Sequence, residues 1–136
     1  MNLEGLDTIF KRLTAEIEGS EGGWRFVISN IVFFCISDAL HNRMRIISPI
    51  TKRSEMSAEQ LEQCLKANFH SSLDARYALS DNILYAAFIH PLAELTEELV
   101  INAIDQIYSC VATYGTTYSS GFLKFPTRED RDAKNN

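Results

Sequence analysis

The chain has 136 residues, of which 46% are hydrophobic and 23% are charged, and its formal net charge is −5. This size and composition predict one soluble globular domain with a single core, and the excess of acidic residues argues against non-specific nucleic-acid binding. Because no apolar run is long enough to cross a bilayer and the N-terminus lacks the features of a signal peptide, we expect a cytoplasmic protein without a membrane partner.

The cysteines and histidines do not form a recognisable metal or redox motif. Cys35, Cys64 and Cys110 are widely spaced and lie in apolar patterns, which is typical of small buried side chains rather than of a disulfide framework. The histidines are scattered, and none has a second ligand at a metal-binding spacing. The Gly22-Gly23 pair precedes a predicted strand and not a helix, so it does not match a phosphate-binding loop. We therefore expect no metal and no cofactor.

The first predicted element is an amphipathic helix over residues 2–18. Its apolar residues recur at helical spacing, so that they lie on one face. They are Leu3, Leu6, Phe10, Leu13 and Ile17. Gly19 follows as the expected C-terminal stop, and Gly22-Gly23 extends the break.

Strands are predicted after this break. Residues 24–29 are strand-like and end at a turn at Ser29-Asn30, and residues 31–36 are apolar on both faces, as in a central covered strand. Residues 43–47 alternate between polar and apolar side chains, so one face should be wet and the other buried. Pro49 should end this strand or place it at an edge of the sheet.

A second helix is predicted from its start signal. Ser57 and Gln60 match a capping box, and the helix should end near His70. Side chains at helical spacing predict the face that it turns towards the core. They are Leu61, Cys64, Leu65, Asn68 and Phe69.

A second hairpin and a third helix follow. Residues 74–79 and 83–90 have strand character, and residues 80–82 between them have turn chemistry. Thr96 is a suitable N-cap for the third helix, whose apolar stripe continues to a stop at Gly115.

The C-terminal residues fall into two parts. Residues 122–126 are a short hydrophobic segment that could add an edge strand to the sheet. Residues 127–136 are charged and almost without apolar side chains, which predicts a disordered tail. The predicted domain therefore covers residues 1–126. Its elements follow the order α-β-β-β-α-β-β-α, which predicts an α+β fold with helices packed on an antiparallel sheet.

That order, together with two motifs, resembles the YbjN-like family. The motifs are Asn42-Arg43-Met44-Arg45-Ile46, and Asn68-Phe69-His70-Ser71 running into Leu73-Asp74-Ala75-Arg76-Tyr77. The resemblance covers roughly residues 6–126. It implies the fold of the class I type III secretion chaperones, an α+β sandwich that commonly forms homodimers. It also implies a chaperone-like or regulatory role in protein binding, and it brings no catalytic residues with it.

The junction between the second helix and the next strand carries one candidate site. His70 and Asp74 could form an acid–base dyad, with Arg76 nearby, as in a small enzyme or a small-ligand site. The sequence indicates no nucleophile for this dyad, because the serines at 71–72 lack the glycine-flanked elbow of hydrolases. The structural alternative pairs Asp74 with Arg76 or Arg45 across strands, and Asn68 is a further candidate binding residue beside this junction.

Two other groups are candidate partner contacts. Arg43 and Arg45 share one strand face, where they could bind an acidic peptide or a phosphate, unless they are simply solvated beside local acids. Trp24, Phe33 and Phe34 are core residues in the structural alternative. They are candidate interface residues in the functional one, because a small domain has helices to cover little more than one face of an apolar strand. A second copy or a partner's strand or helix would cover the rest.

These observations favour a non-enzymatic protein that binds a protein or peptide partner, as a homodimer, in a chaperone-like or regulatory role. A small enzyme or ligand-binding protein that uses His70, Asp74 and Arg76 is the alternative.

Overall fold

A computed structural model of the chain describes residues 1–120. Within them, six strands form one antiparallel sheet in the order β1-β2-β3-β4-β6-β5. Three α-helices of the same residues pack on this sheet. The elements are α1 (Leu3–Leu13), β1 (Ile17–Ser20), β2 (Gly23–Ile28), β3 (Ile31–Asp38), β4 (Arg43–Lys52), α2 (Ala58–His70), β5 (Arg76–Ser80), β6 (Ile83–His90) and α3 (Glu97–Thr113). The predicted α+β class is confirmed. The predicted segments 122–126 and 127–136 lie outside the described residues, so the domain boundary stays a prediction.

The first helix is shorter than predicted, and a strand replaces its last turn. Thr14 has extended backbone angles, and its hydroxyl donates to the carbonyl of Val27 at 2.7 Å. Ile17 pairs with Phe26 in β1 instead of continuing the helical stripe. The prediction of a helix to residue 18 was wrong because the spacing from Leu13 to Ile17 fits a helix by coincidence. Within residues 1–120, the sheet therefore has one strand more than predicted.

Gly19 lies within β1 and does not end a helix. Its φ is +103°, and a Cβ at this position would lie 2.2 Å from the carbonyl oxygen of Gly23. The hairpin between β1 and β2 thus requires glycine here for both conformation and space.

Pro49 lies inside an internal strand, which corrects the expectation that it ends β4 or marks an edge. β4 pairs with β3 and with β6, and its register with β6 shifts between Pro49 and Thr51. This irregularity accommodates a residue that has no N–H to donate to a regular ladder. The strand continues beyond it to Lys52.

The local signals for turns and caps are confirmed. Ser29 and Asn30 both have positive φ, as the two central residues of a tight hairpin turn do. The Ser57 hydroxyl accepts from the Gln60 N–H at 3.0 Å, and the Gln60 side chain accepts from the Ser57 N–H at 2.9 Å. Thr96 caps α3 by accepting from the N–H of Leu99.

The core lies between the three helices and one face of the sheet, which we call the inner face. The ring of Phe10 on α1 stacks on Phe26 at 4.6 Å, and Phe26 stacks on Phe33 at 5.3 Å. Towards α3, the Tyr77 hydroxyl donates to the carbonyl of Cys110 at 2.9 Å. Because Phe10 and Cys110 approach the sheet from the same side, the opposite face carries no helix from the described residues.

Candidate functional site

The junction at residues 70–76 is held by α3 and not by the predicted charge pairs. The Gln106 side-chain oxygen accepts from the backbone N–H groups of Asp74 and Ala75, at 2.9 and 3.1 Å. The Gln106 amide donates to the Asp74 carboxylate at 3.2 Å. Asp74 therefore pairs with Gln106, and the expected pairing with Arg76 or Arg45 was wrong. Gln106 is 32 residues from Asp74 in the chain, so its role had no signal in the sequence.

His70 and Arg76 also form no dyad with Asp74. Arg76 donates to the backbone carbonyls of Leu73 and Ala75, which helps to hold the left-handed turn at Leu73. The His70 ring contacts the ring of Phe69 edge-on at 4.8 Å, and its buried Nδ1 has no hydrogen-bond partner among the described residues. The structure thus brings these three residues near one junction without linking them for proton transfer.

Asn68 has a structural role at the free edge of β5. Its amide donates to the carbonyl of Tyr77 at 3.0 Å, and its oxygen accepts from the Tyr77 N–H at 2.7 Å. The side chain thereby fills the place of a further strand at this edge, which covers part of it with α2.

The thiols are poor nucleophiles in this environment. All three cysteines are buried and free. Burial raises the pKa of Cys35 and Cys110 to about 12 and that of Cys64 to about 11. At neutral pH these groups are therefore thiols, whereas attack requires the thiolate. Among residues 1–120, no group of three potential metal ligands comes together. None of the helices described here is long and apolar enough to span a membrane.

The three candidate interface aromatics lie on opposite faces of the sheet. Trp24 and Phe33 are only 2% and 0% exposed on the inner face, and the Trp24 indole N–H donates to Asp7 on α1 at 2.9 Å. Their side chains are therefore part of the core and offer no surface to a partner. Phe34 alternates with Phe33 along β3 and lies on the opposite face, where it is half-buried.

This opposite side of the sheet, which we call the outer face, has an apolar centre. Phe34 is directly opposite Ile47, which is directly opposite Ala87 on β6. Ile36 and Ile89 flank this row and are 54% and 58% exposed. The sequence prediction that both faces of β3 are apolar is thus correct, but only the inner face is covered by helices within the described residues.

Four arginines surround the apolar centre. Arg25 is opposite Phe34, and Arg76 is opposite Ala87, so these two arginines flank the apolar part of the central row, and Glu18 on β1 follows Arg25. Arg43 and Arg45 project from β4 on the same face, as their alternation predicts. Arg25 was not predicted as a site residue, because it stands alone in an apolar strand. Only the strand register places it with the other arginines.

A second exposed apolar stripe lies on α2. Leu65 and Phe69 are one helical turn apart and are 63% and 78% exposed. The predicted inward stripe is therefore partly wrong, because Cys64 and Ala67 carry the buried face of this helix. The small size of these two residues lets the helix lie close to the sheet.

Three solved structures share this fold with low sequence identity. A chain of the Yersinia pestis complex of the type III secretion chaperone SycH with a stable fragment of YscM2 has a TM-score of 0.63 and 17% identity, over 83% of this chain and 98% of that chain. A chain of the HopA1–SchA chaperone–effector complex has a TM-score of 0.62 and 13% identity, over 80% and 88%. A chain of the ExsC–ExsE complex has a TM-score of 0.61 and 10% identity, over 82% and 92%.

These likenesses confirm the predicted type III secretion chaperone-like fold. No protein-family model matches the chain, so the resemblance to the YbjN-like family stays a prediction. No curated protein matches its sequence either.

Proposed function

We propose that this protein is a non-enzymatic, cytoplasmic, chaperone-like or regulatory protein that binds a segment of a partner protein, and that it belongs to the YbjN-like family. The observation that carries this proposal is the outer face of the sheet, where Phe34, Ile36 and Ile89 form an apolar surface that no helix of residues 1–120 covers. Contiguous exposed apolar surface of this kind is typical of protein-interaction sites. The free thiols suit a reducing compartment.

The structural neighbours support a protein partner over a small-molecule substrate. Two of them are described as a chaperone–effector complex and as a secretion chaperone bound to a protein fragment. Proteins that share a fold can bind different partners, so the proposal depends on the surface of this chain. The His70 junction supports catalysis less well, because Asp74 is engaged by Gln106 and not by His70.

The test is a mild cross-linking pull-down from the native cell, followed by titration of the purified partner. Ile36→Asp should reduce the affinity for that partner by about ten-fold or more, because it replaces an exposed apolar side chain beside the central row with a charge. Ile36 is exposed, so the variant should keep the thermal stability of the wild type. The matched control is Asn102→Asp, which makes the same change of charge on the exposed side of α3.

Unchanged affinity of the Ile36 variant would show that the partner binds elsewhere on the protein. If repeated pull-downs recover no partner, a small-ligand screen by thermal shift takes precedence.

We further propose that the chain forms a homodimer through the α2 stripe. Two copies of one helix face can meet about a two-fold axis, and Leu65 and Phe69 offer such a self-complementary surface. The outer face suits a second copy less well, because its arginines would oppose the same arginines of the other copy.

The double variant Leu65→Glu/Phe69→Glu should therefore convert a dimer to a monomer. Light scattering should give twice the chain mass of 15.4 kDa for the wild type and the single mass for the variant. The matched control is Ile36→Asp, which should remain dimeric. A variant that keeps the dimeric mass would exclude this helix face as the interface.

A further inference from the structure

The arginines of the outer face have no acidic partner among residues 1–120. Ion pairs among the described residues involve Lys11, Arg12, His41 and Lys66, and none involves an outer-face arginine. Arg25, Arg43, Arg45 and Arg76 are all exposed. Within the part of the chain that the structure describes, four cations on one apolar face thus form no ion pair.

Local carboxylates do not neutralise this cluster. Glu18 is opposite Arg25 in the register, yet the two side chains form no ion pair. Asp38 is opposite Arg43, but its carboxylate is bonded to His41 Nδ1 at 2.6 Å. Among the described residues, the Arg43 side chain donates to the backbone carbonyl of Asn42 alone, at 3.4 Å. Guanidinium groups have five donors, so each of these arginines retains free donors for a bound carboxylate.

Two arginines flank the apolar centre and define the direction and length of a ligand. Arg25 on β2 and Arg76 on β5 lie on either side of Phe34, Ile47 and Ala87 in one row across the sheet, and Glu18 on the edge strand β1 follows Arg25. Four strand spacings separate the two arginines, which corresponds to about 19 Å. A helix of about 13 residues has this length. The row therefore presents cation, apolar centre and cation in a line across the strands.

We infer that the outer face binds a partner segment that has an apolar centre and carboxylates near both ends. This inference rests on the proposed function and adds the chemistry of the partner to it. An apolar centre matches Phe34 and its neighbours, and terminal carboxylates match Arg25 and Arg76. A polyanion such as a nucleic acid suits the face less well, because it offers phosphates but no apolar side chains to cover Ile36 and Ile89.

The probe is a fluorescein-labelled synthetic peptide of about 16 residues, long enough for the row as a helix. It has two glutamates at each end and a centre of leucine, alanine and glutamine with helical amphipathic spacing. Two matched peptides replace the glutamates by glutamines or by lysines. Fluorescence anisotropy measures the binding of each peptide to the full chain at low and at high salt, with oligothymidylate as the nucleic-acid probe.

The acidic peptide should bind about ten-fold tighter than the lysine peptide, and high salt should reduce the difference. The double variant Arg25→Gln/Arg76→Gln should bind the acidic peptide about five-fold more weakly, as expected for two exposed ion pairs. Its affinity for the glutamine peptide should not change. The control Lys11→Gln/Lys66→Gln removes the same charge from α1 and α2 and should bind like the wild type.

Each other outcome overturns the inference in a distinguishable way. Equal binding of the three peptides, with loss of binding in Ile36→Asp, would keep the protein-binding function and reject the acidic partner. Tighter binding of oligothymidylate would assign the arginines to nucleic acid. If no peptide binds, the acidic-segment inference fails, and the native pull-down with Ile36→Asp decides separately whether the protein-binding function fails with it.

Discussion

Replacing Phe26 by alanine should lower the free energy of unfolding by about 3–5 kcal/mol, the usual cost of removing a buried phenylalanine ring. Phe26 is fully buried and stacks on both Phe10 and Phe33, so its loss leaves a cavity between α1 and the sheet. The neighbouring rings belong to different elements and cannot all close on the gap without moving a helix or a strand. Urea denaturation followed by circular dichroism measures the change.

The matched control for this prediction is Phe69→Ala. Its ring is 78% exposed on α2, so the same chemical change should alter the free energy of unfolding by less than about 0.5 kcal/mol. This experiment is done at protein concentrations that favour the monomer, since the α2 stripe is the proposed dimer surface. Equal destabilisation by the two variants would contradict either the burial of Phe26 or the exposure of Phe69.

Replacing Asn68 by alanine should cost about 2 kcal/mol of stability, although alanine is the better helix former. The variant leaves the N–H and the carbonyl of Tyr77 without their partners at the edge of β5. Both groups are part-buried, so water replaces the lost amide incompletely. The same denaturation experiment measures this cost.

Gln63→Ala is the control, because Gln63 lies on the same helix and its side chain forms no hydrogen bond with another described residue. A stable Asn68→Ala variant with weakened partner binding would contradict the structural role and restore Asn68 as a binding residue. We expect the reverse, with reduced stability and normal affinity for the folded fraction.

Much of the local structure could be predicted from the sequence. The capping box at Ser57, the turn at Ser29-Asn30 and the Thr96 cap depend on contacts between residues that are near each other in the chain, and each is confirmed. The α+β class follows from the segregation of hairpins and helices. The candidate site was predicted less well, because Asp74 is held by Gln106 on a distant helix.

Tertiary structure decided the features that depend on distant contacts. Ile17 fits a helical stripe and also a strand, and its pairing with Phe26 determines the outcome. Leu65 follows a helical spacing, but its outward direction depends on where α2 packs.

The amino-acid sequence by itself determined that one strand of this protein is apolar on both faces and that Arg43 and Arg45 share one side of another. Only the tertiary structure decided which apolar face the helices of residues 1–120 leave uncovered, and it placed Arg25 and Arg76 on either side of the apolar part of one row. The physical reason is that side-chain alternation is fixed by local backbone geometry, whereas strand order and register are fixed by contacts between residues far apart in the chain.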